Sequence, residues 1–286
     1  MAYTTINKST DYFTPHIWSG TNSNHTESIG MQPDLVWVKG RSVATDHTLF
    51  DAVRGPFGNG NSLSSNTTAA EGGSNTTAYG GISGVTSDGF TVTAGSSNAD
   101  YVNTSGRTYA SWNWKANGTG SANTDGSISS TVSANTTSGF SIVKYTGNGT
   151  GNSTIGHGLG ATPKFIIVKC ISATQSWGTY SPSFVSASEP RVMYLNQTGS
   201  YANDTNVWGT SAAFNNNTFT VGDWAGSNAS GQTFIAYCFA DVRGFSKMGS
   251  YTGNGNADGS FIYTGFSPAF VMIKQTTGTG KWVIKD

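Results

Sequence analysis

Charge is the scarcest material in this chain: Asp, Glu, Lys and Arg make up 10% of its 286 residues, against the ~25% usual in soluble domains. The 15 basic and 15 acidic residues cancel, leaving no net field to attract nucleic acid or anionic lipid. Cysteine is nearly missing too. Cys170 and Cys238 cannot staple a chain of this length, and both lie at apolar runs, so they read as reduced core thiols. No run approaches the ~18 apolar residues of a membrane span, and Met1-AYTTINKSTDYF has neither the basic start nor the apolar middle of a secretory leader. Helix-forming stretches are lacking as well, because Gly, Pro, Asn and β-branched residues interrupt almost every window of helical length.

What fills the gap is Gly, Ser, Thr and Asn around an aromatic content of 12%. That much core material argues against disorder. Solubility then rests on hydroxyls and amides. Asn-x-Ser/Thr triplets at Asn66, Asn75, Asn103 and Asn196 follow from this composition and are not read as glycosylation sites.

Three stretches are versions of one sentence: Ile29-GMQPDLVWVKG-Arg41, Leu159-GATPKFIIVKC-Ile171 and Thr264-GFSPAFVMIKQ-Thr276. Pro33, Pro163 and Pro268 align, and each is followed by an apolar run closing on Lys39, Lys169 or Lys274. His47, Trp177 and Trp282 occupy the next matched position. Gly139-FSIVKYTGNG-Thr150 parallels Gly244-FSKMGSYTGNG-Asn256, and Tyr109-ASWNW-Lys115 parallels Phe234-IAYCF-Ala240. The short apolar runs are dense in β-branched and aromatic residues, as strands buried on both faces are. In the alternating runs Trp112 and Trp114 share a face with Ala110, and Tyr237 and Phe239 take their places in the next copy. A repeated unit of strands separated by Gly/Asn turns predicts an all-β chain of tandem antiparallel β-sandwich domains, jelly-roll or lectin-like. The expected division is 1–118 for the first repeat, 119–138 for a polar linker, 139–242 for the second repeat and 243–286 for a partial third, truncated or completed by a neighbour.

Catalytic and metal motifs are not found. His16, His25, His47 and His157 are too scattered to form a constellation by spacing, and His47 stands where the other copies have Trp. The Gly-rich runs fail the phosphate-loop pattern. Asn254-GNADG-Ser260 resembles the start of a calcium loop, but Gly265 stands where the bidentate carboxylate belongs. No two carboxylates stand out as a glycosidase pair, Asp51 being matched by Ser181 in the second copy. The expectation is therefore no enzyme, no cofactor and no metal. The aligned lysines read as strand terminators that snorkel at the sheet edge. Trp18, Trp208 and Trp224, in loop-like contexts, are the candidates for stacking on a glycan.

Several long phrases resemble repeat domains of marine bacteriophage structural proteins. They are GMQPDLVWVKGRS (Gly30 to Ser42), LFDAVRG (Leu49 to Gly55), LSSNTTA (Leu63 to Ala69), TSDGFTV (Thr86 to Val92), NTDGSISSTVSANTTSGFSIVKYTGNGT (Asn123 to Thr150) and GHGLGATPKFIIVK (Gly156 to Lys169). The resemblance covers nearly the whole chain. It implies a virion protein made in the host cytoplasm, a tail fibre or similar appendage with a lectin-like or jelly-roll β fold. Expected partners are further copies in a homotrimer, other virion proteins and a host cell-surface glycan. The alternative is a capsid decoration or head-fibre protein, and the weakest is a glycan-active enzyme.

Overall fold

The computed structural model describes residues 3–58, 60–73, 76–97, 101–186, 188–189, 191–210 and 213–286; Asn75 lies outside them. Among the described residues the protein is nearly all β, with antiparallel sheets and no barrel. Among the described residues the α-helices are single turns, α1 (Thr76–Tyr79), α2 (Thr205–Trp208) and α3 (Ala225–Asn228). None is long and apolar enough to cross a membrane.

The first copy contributes β1 (Phe13–Ser19), β2 (His25–Ser28), β3 (Leu35–Gly40), β4 (Thr48–Asp51), β5 (Leu63–Ser64), β6 (Gly81–Thr86), β7 (Gly89–Thr93) and β8 (Thr108–Trp114). Next come β9 (Ser121–Asn123), β10 (Ser130–Asn135), β11 (Phe140–Thr146), β12 (Ser153–Gly156), β13 (Phe165–Cys170), β14 (Gly178–Tyr180), β15 (Arg191–Tyr194), β16 (Ala202–Asn203), β17 (Thr218–Val221) and β18 (Thr233–Phe239). The third copy adds only β19 (Val271–Ile273) and β20 (Val283–Lys285).

Strand order repeats with the sequence. One sheet runs β1-β8-β3-β4-β5, and within the eight-stranded sheet the run β11-β18-β13-β14-β15 follows the same order. Register repeats too. Trp37 lies opposite Leu49 and Trp112, Ile167 lies opposite Thr179 and Tyr237, and Met272 lies opposite Ile284. Each hairpin is entered through the same bend: Gly30, Gly160 and Gly265, three residues before the aligned prolines, all have φ between +67° and +84°, which a side chain rarely tolerates. Pro33 and Pro163 are buried, whereas Pro268 is exposed.

The polar segment 119–138 is not a free linker. It carries β9 and β10, which extend the second sheet beside β11. Ile128 and Val132 point into the second copy's core and anchor it; the abundance of hydroxyls hid two apolar residues four apart.

Why the repeated strands are apolar on both faces follows from three separate cores. Val36, Val38, Phe50 and Tyr109 join Trp18, Ile82, Phe90 and Val92 under the small β2-β7-β6 sheet. Ile166, Val168 and Cys170 join Trp208, Phe219 and Phe234 beneath β12 and β17. The opposite faces meet each other: Leu35, Trp37 and Trp112 of the first copy, and Ile142, Ile167 and Tyr237 of the second, form one cluster with Phe270, Met272, Trp282 and Ile284 of the third packed against it. Alternate residues of one strand thus serve two cores. Cys170 and Cys238 are buried free thiols, in agreement with the sequence reading.

Candidate functional site at the joints between copies

The side chains that stand out chemically lie where one copy meets the next. Trp177 is fully buried, and its indole N–H donates to the carbonyls of Ser64 (3.0 Å) and Thr67 (3.1 Å) of the preceding copy. Lys169 Nζ donates to the Thr68 carbonyl at 3.1 Å and to Gln175 O at 2.7 Å. Two main-chain bonds flank these, Gln175 N to Thr68 O (3.0 Å) and Glu71 N to Ile171 O (2.9 Å).

The second joint repeats the pattern with fewer indole bonds. Trp282 Nε1 donates to Tyr194 O (3.1 Å), and Lys274 Nζ to Thr198 O (3.1 Å) and Gly199 O (2.7 Å). Gly280 N donates to Thr198 O (2.9 Å), and Tyr201 N to Thr276 O (3.1 Å). Ser64 and Tyr194 are equivalent, because each faces the residue after the aligned His47 or Trp177 across the sheet. The aligned lysines and tryptophans therefore act as a clamp gripping the turn after the fifth strand of the copy before.

The third copy returns to the first. Asp286 accepts the Trp112 indole N–H at 3.1 Å, and Phe270 packs on Phe13, Trp112 and Trp114 with ring centroids 5.5–5.9 Å apart. The same pair of positions meets at the first joint, where Tyr237 OH donates to Asp51 Oδ2 at 2.7 Å. Each copy thus touches the other two around one apolar cluster.

At the first joint Asp51 organises a buried ion network. Its Oδ1 accepts Val53 N and Arg54 N, both at 3.0 Å, and its Oδ2 takes Arg54 Nε at 2.5 Å. Arg54 also donates from Nη1 to Glu71 at 2.7 Å and to the Asn61 carbonyl, and from Nη2 to Leu49 O at 2.9 Å. Burial works against the Arg54 charge, but Asp51, Tyr237 and Glu71 outweigh it and hold its pKa above the ordinary value. Burial first, and then the Asp51 carboxylate, raise the Tyr237 pKa. The second copy replaces this pair with Ser181 and Phe184. The sequence displayed the phrase LFDAVRG but not its partners, since Glu71 and Tyr237 come from distant segments.

The lysines do more than snorkel. Lys169 is fully enclosed, and burial lowers its pKa to about 8. Lys39 instead donates to the local carbonyls of Val43 (3.4 Å) and Thr45 (3.1 Å). Because the native Lys169 pKa lies below its unfolded value of 10.5, the native state binds fewer protons between those values. Stability should therefore rise with pH from about 8 to 10.5, by up to about 3 kcal/mol. Below pH 8 the burial penalty is fully present. Thermal melts of wild type and Lys169→Met across this range check it, the expected result being a stability difference that shifts toward wild type as pH rises.

The glycan candidates fare differently. Trp18 is 4% exposed on β1, stacked on Tyr109 and bonded through Nε1 to Val102 O at 2.8 Å. Trp208 is 0% exposed within α2. Neither ring offers a face to a sugar; the Gly/Asn-rich context that suggested exposed loops instead lets the chain fold tightly over them. Trp224 is half-buried and tilted against Tyr194. His16 and His25, scattered in sequence, converge on Glu27 with Nε2 to carboxylate distances of 2.8 and 2.9 Å. Among the described residues no group of three or more His, Cys, Asp or Glu is placed to hold a metal. A cleft of ≈ 290 Å³ beside Pro56, Phe57 and Val85 contains Asp34, and one of ≈ 300 Å³ beside Tyr3 and Tyr263 contains Asp241; each holds a single carboxylate. Asp34 is engaged by Ala116 N and Gly118 N, and burial raises its pKa.

Residues 8–286 match the family described as a domain of unknown function, DUF7483. The chain belongs to that family. No curated protein and no solved structure matches it. The match spans all three copies together, as do the joints.

Proposed function

We propose that this protein is a structural component of a bacteriophage virion, a tail fibre or similar appendage built of tandem jelly-roll or lectin-like β domains, and that it is not an enzyme. The repeated joint carries the reading. Matched Lys and Trp residues spend their hydrogen bonds gripping the neighbouring copy, which suits a scaffold that must stay assembled. The low charge and short strands fit the same role, since little backbone is left open to local unfolding. The resemblance of the quoted phrases to phage structural repeats supplies the location. Glycan binding is the part with least support, because Trp18 and Trp208 are enclosed.

A homotrimer is one way for a fibre to reach threefold packing. The contacts of each copy with both others favour a second reading, in which one chain fills the three positions. Light scattering separates them, by one chain mass or three. The virion role is tested by cryo-electron microscopy of intact particles with this chain localised. A few copies at the tail support the fibre reading, hundreds on the capsid lattice favour decoration of the shell, and absence from the particle contradicts both.

A further inference from the structure

The contacts that cross the joints are of three kinds, and two of them are blind to which copy they meet. The apolar cluster is one. Leu35, Phe165 and Phe270 take the same place in their copies, as do Trp37, Ile167 and Met272, and apolar contact has no direction. The Lys and Trp clamp is the other. It grips main-chain carbonyls, those of Ser64, Thr67 and Thr68 at the first joint and of Tyr194, Thr198 and Gly199 at the second. Every copy owns such carbonyls, whatever its side chains.

The third kind is particular. Two bonds run from side chain to side chain across copies, Tyr237 OH to Asp51 and Trp112 Nε1 to Asp286. Matched positions therefore present different donors, a phenol and an indole. In the second copy Ser181 stands at the Asp51 position, and Phe184, at the Arg54 position, lies in an apolar core. The ionic network is thus not required to close a copy, and a buried ion pair is no reliable source of stability. What it adds is a condition on the neighbour. Asp51 is 2% exposed and Tyr237 1%, so each has to find its partner inside the joint. Setting Tyr237 against Ser181 takes the carboxylate from a buried hydroxyl. Setting Trp112 against Asp51 forces a bicyclic ring into the space of a phenol.

We propose that the Asp51–Tyr237 and Asp286–Trp112 pairs fix which copy docks on which, so that three similar copies close in one order. The clamp and the apolar cluster hold the copies together, and the two pairs reject the wrong neighbour, whether it comes from the same chain or from a second one.

The test uses the full chain, wild type and Asp51→Ser/Arg54→Phe, refolded from denaturant. The indole N–H signals of its eight tryptophans are followed by NMR. Wild type should give a single set. The double variant keeps the clamp and the apolar cluster but loses the mark on the first joint. It should show a second set at about a tenth or more of the main intensity, because Trp112, Trp177 and Trp282 all lie at joints. Phe219→Leu, which loosens only the second copy's own core, should keep a single set, and this separates lost order from lost stability. A single set from the double variant overturns the proposal. So does a second set in wild type, or one of equal weight in Phe219→Leu. Should the double variant fail to refold, Tyr237→Phe carries the test, since it removes only the hydroxyl that crosses the joint. A second set is expected from it, and a single set overturns the proposal. The result is independent of where the protein resides, so it can fail while the virion reading stands.

Discussion

Replacing Trp177 with alanine is expected to destabilise the protein by about 3–5 kcal/mol, the range for emptying a buried Trp site. The side chain is fully enclosed, with the Lys169 ammonium 5.9 Å from its ring centroid. Its indole is bonded to two carbonyls of the preceding copy. Truncation therefore opens a cavity and strips the indole donor from Thr67 O and from Ser64 O, the latter keeping Thr67 N at 3.2 Å. The equivalent change at half-buried Trp282, where a single indole bond reaches Tyr194 O, should have a clearly smaller effect. Chemical denaturation of both variants checks the order. Equal losses would mean that the two joints are not the same device in deep and shallow form.

Asp51→Ser is expected to cost about 3–5 kcal/mol, because it leaves the buried Arg54 guanidinium without its nearest counter-charge. Four donors converge on that carboxylate: two main-chain amides, Arg54 Nε and Tyr237 OH. The second copy already contains the alternative. Ser181 stands at the Asp51 position with its Oγ accepting Ser183 N at 3.3 Å, and Phe184 lies in the apolar core at the Arg54 position. The double substitution Asp51→Ser/Arg54→Phe should thus recover much of the loss, since it removes the stranded charge and restores apolar packing. A double variant as unstable as the sum of the two single variants would contradict the account. Tyr237→Phe, which removes only one hydroxyl, should fall in the range of about 1–3 kcal/mol.

The strands were legible because they obey local rules. The runs following Pro33, Pro163 and Pro268 announced themselves by β-branched content, and the alternation in Tyr109-ASWNW-Lys115 and Phe234-IAYCF-Ala240 gave their faces. What the pattern could not say is what those faces meet. Trp37, Trp112, Ile167 and Tyr237 look like ordinary core residues in sequence. Their convergence with Phe270 and Met272 is a relation among copies far apart in the chain. The enclosure of Lys169 is hidden in the sequence for the same reason. A strand-ending Lys reads as a surface group until its acceptor, the turn after the fifth strand of another copy, is in view. The burial of Trp18 and Trp208 is equally hidden, because Gly and Asn around an aromatic signal a turn but not which way the ring points.

The measurement that tests the central claim most directly is hydrogen exchange at the indole N–H groups of Trp177 and Trp282. If the copies are held by one repeated clamp, both protons are protected well beyond a free indole and lose protection together when Lys169 and Lys274 are both replaced by Met. Free-indole exchange at Trp282, with Trp177 protected, would contradict the claim by showing that the third copy is not gripped by the second.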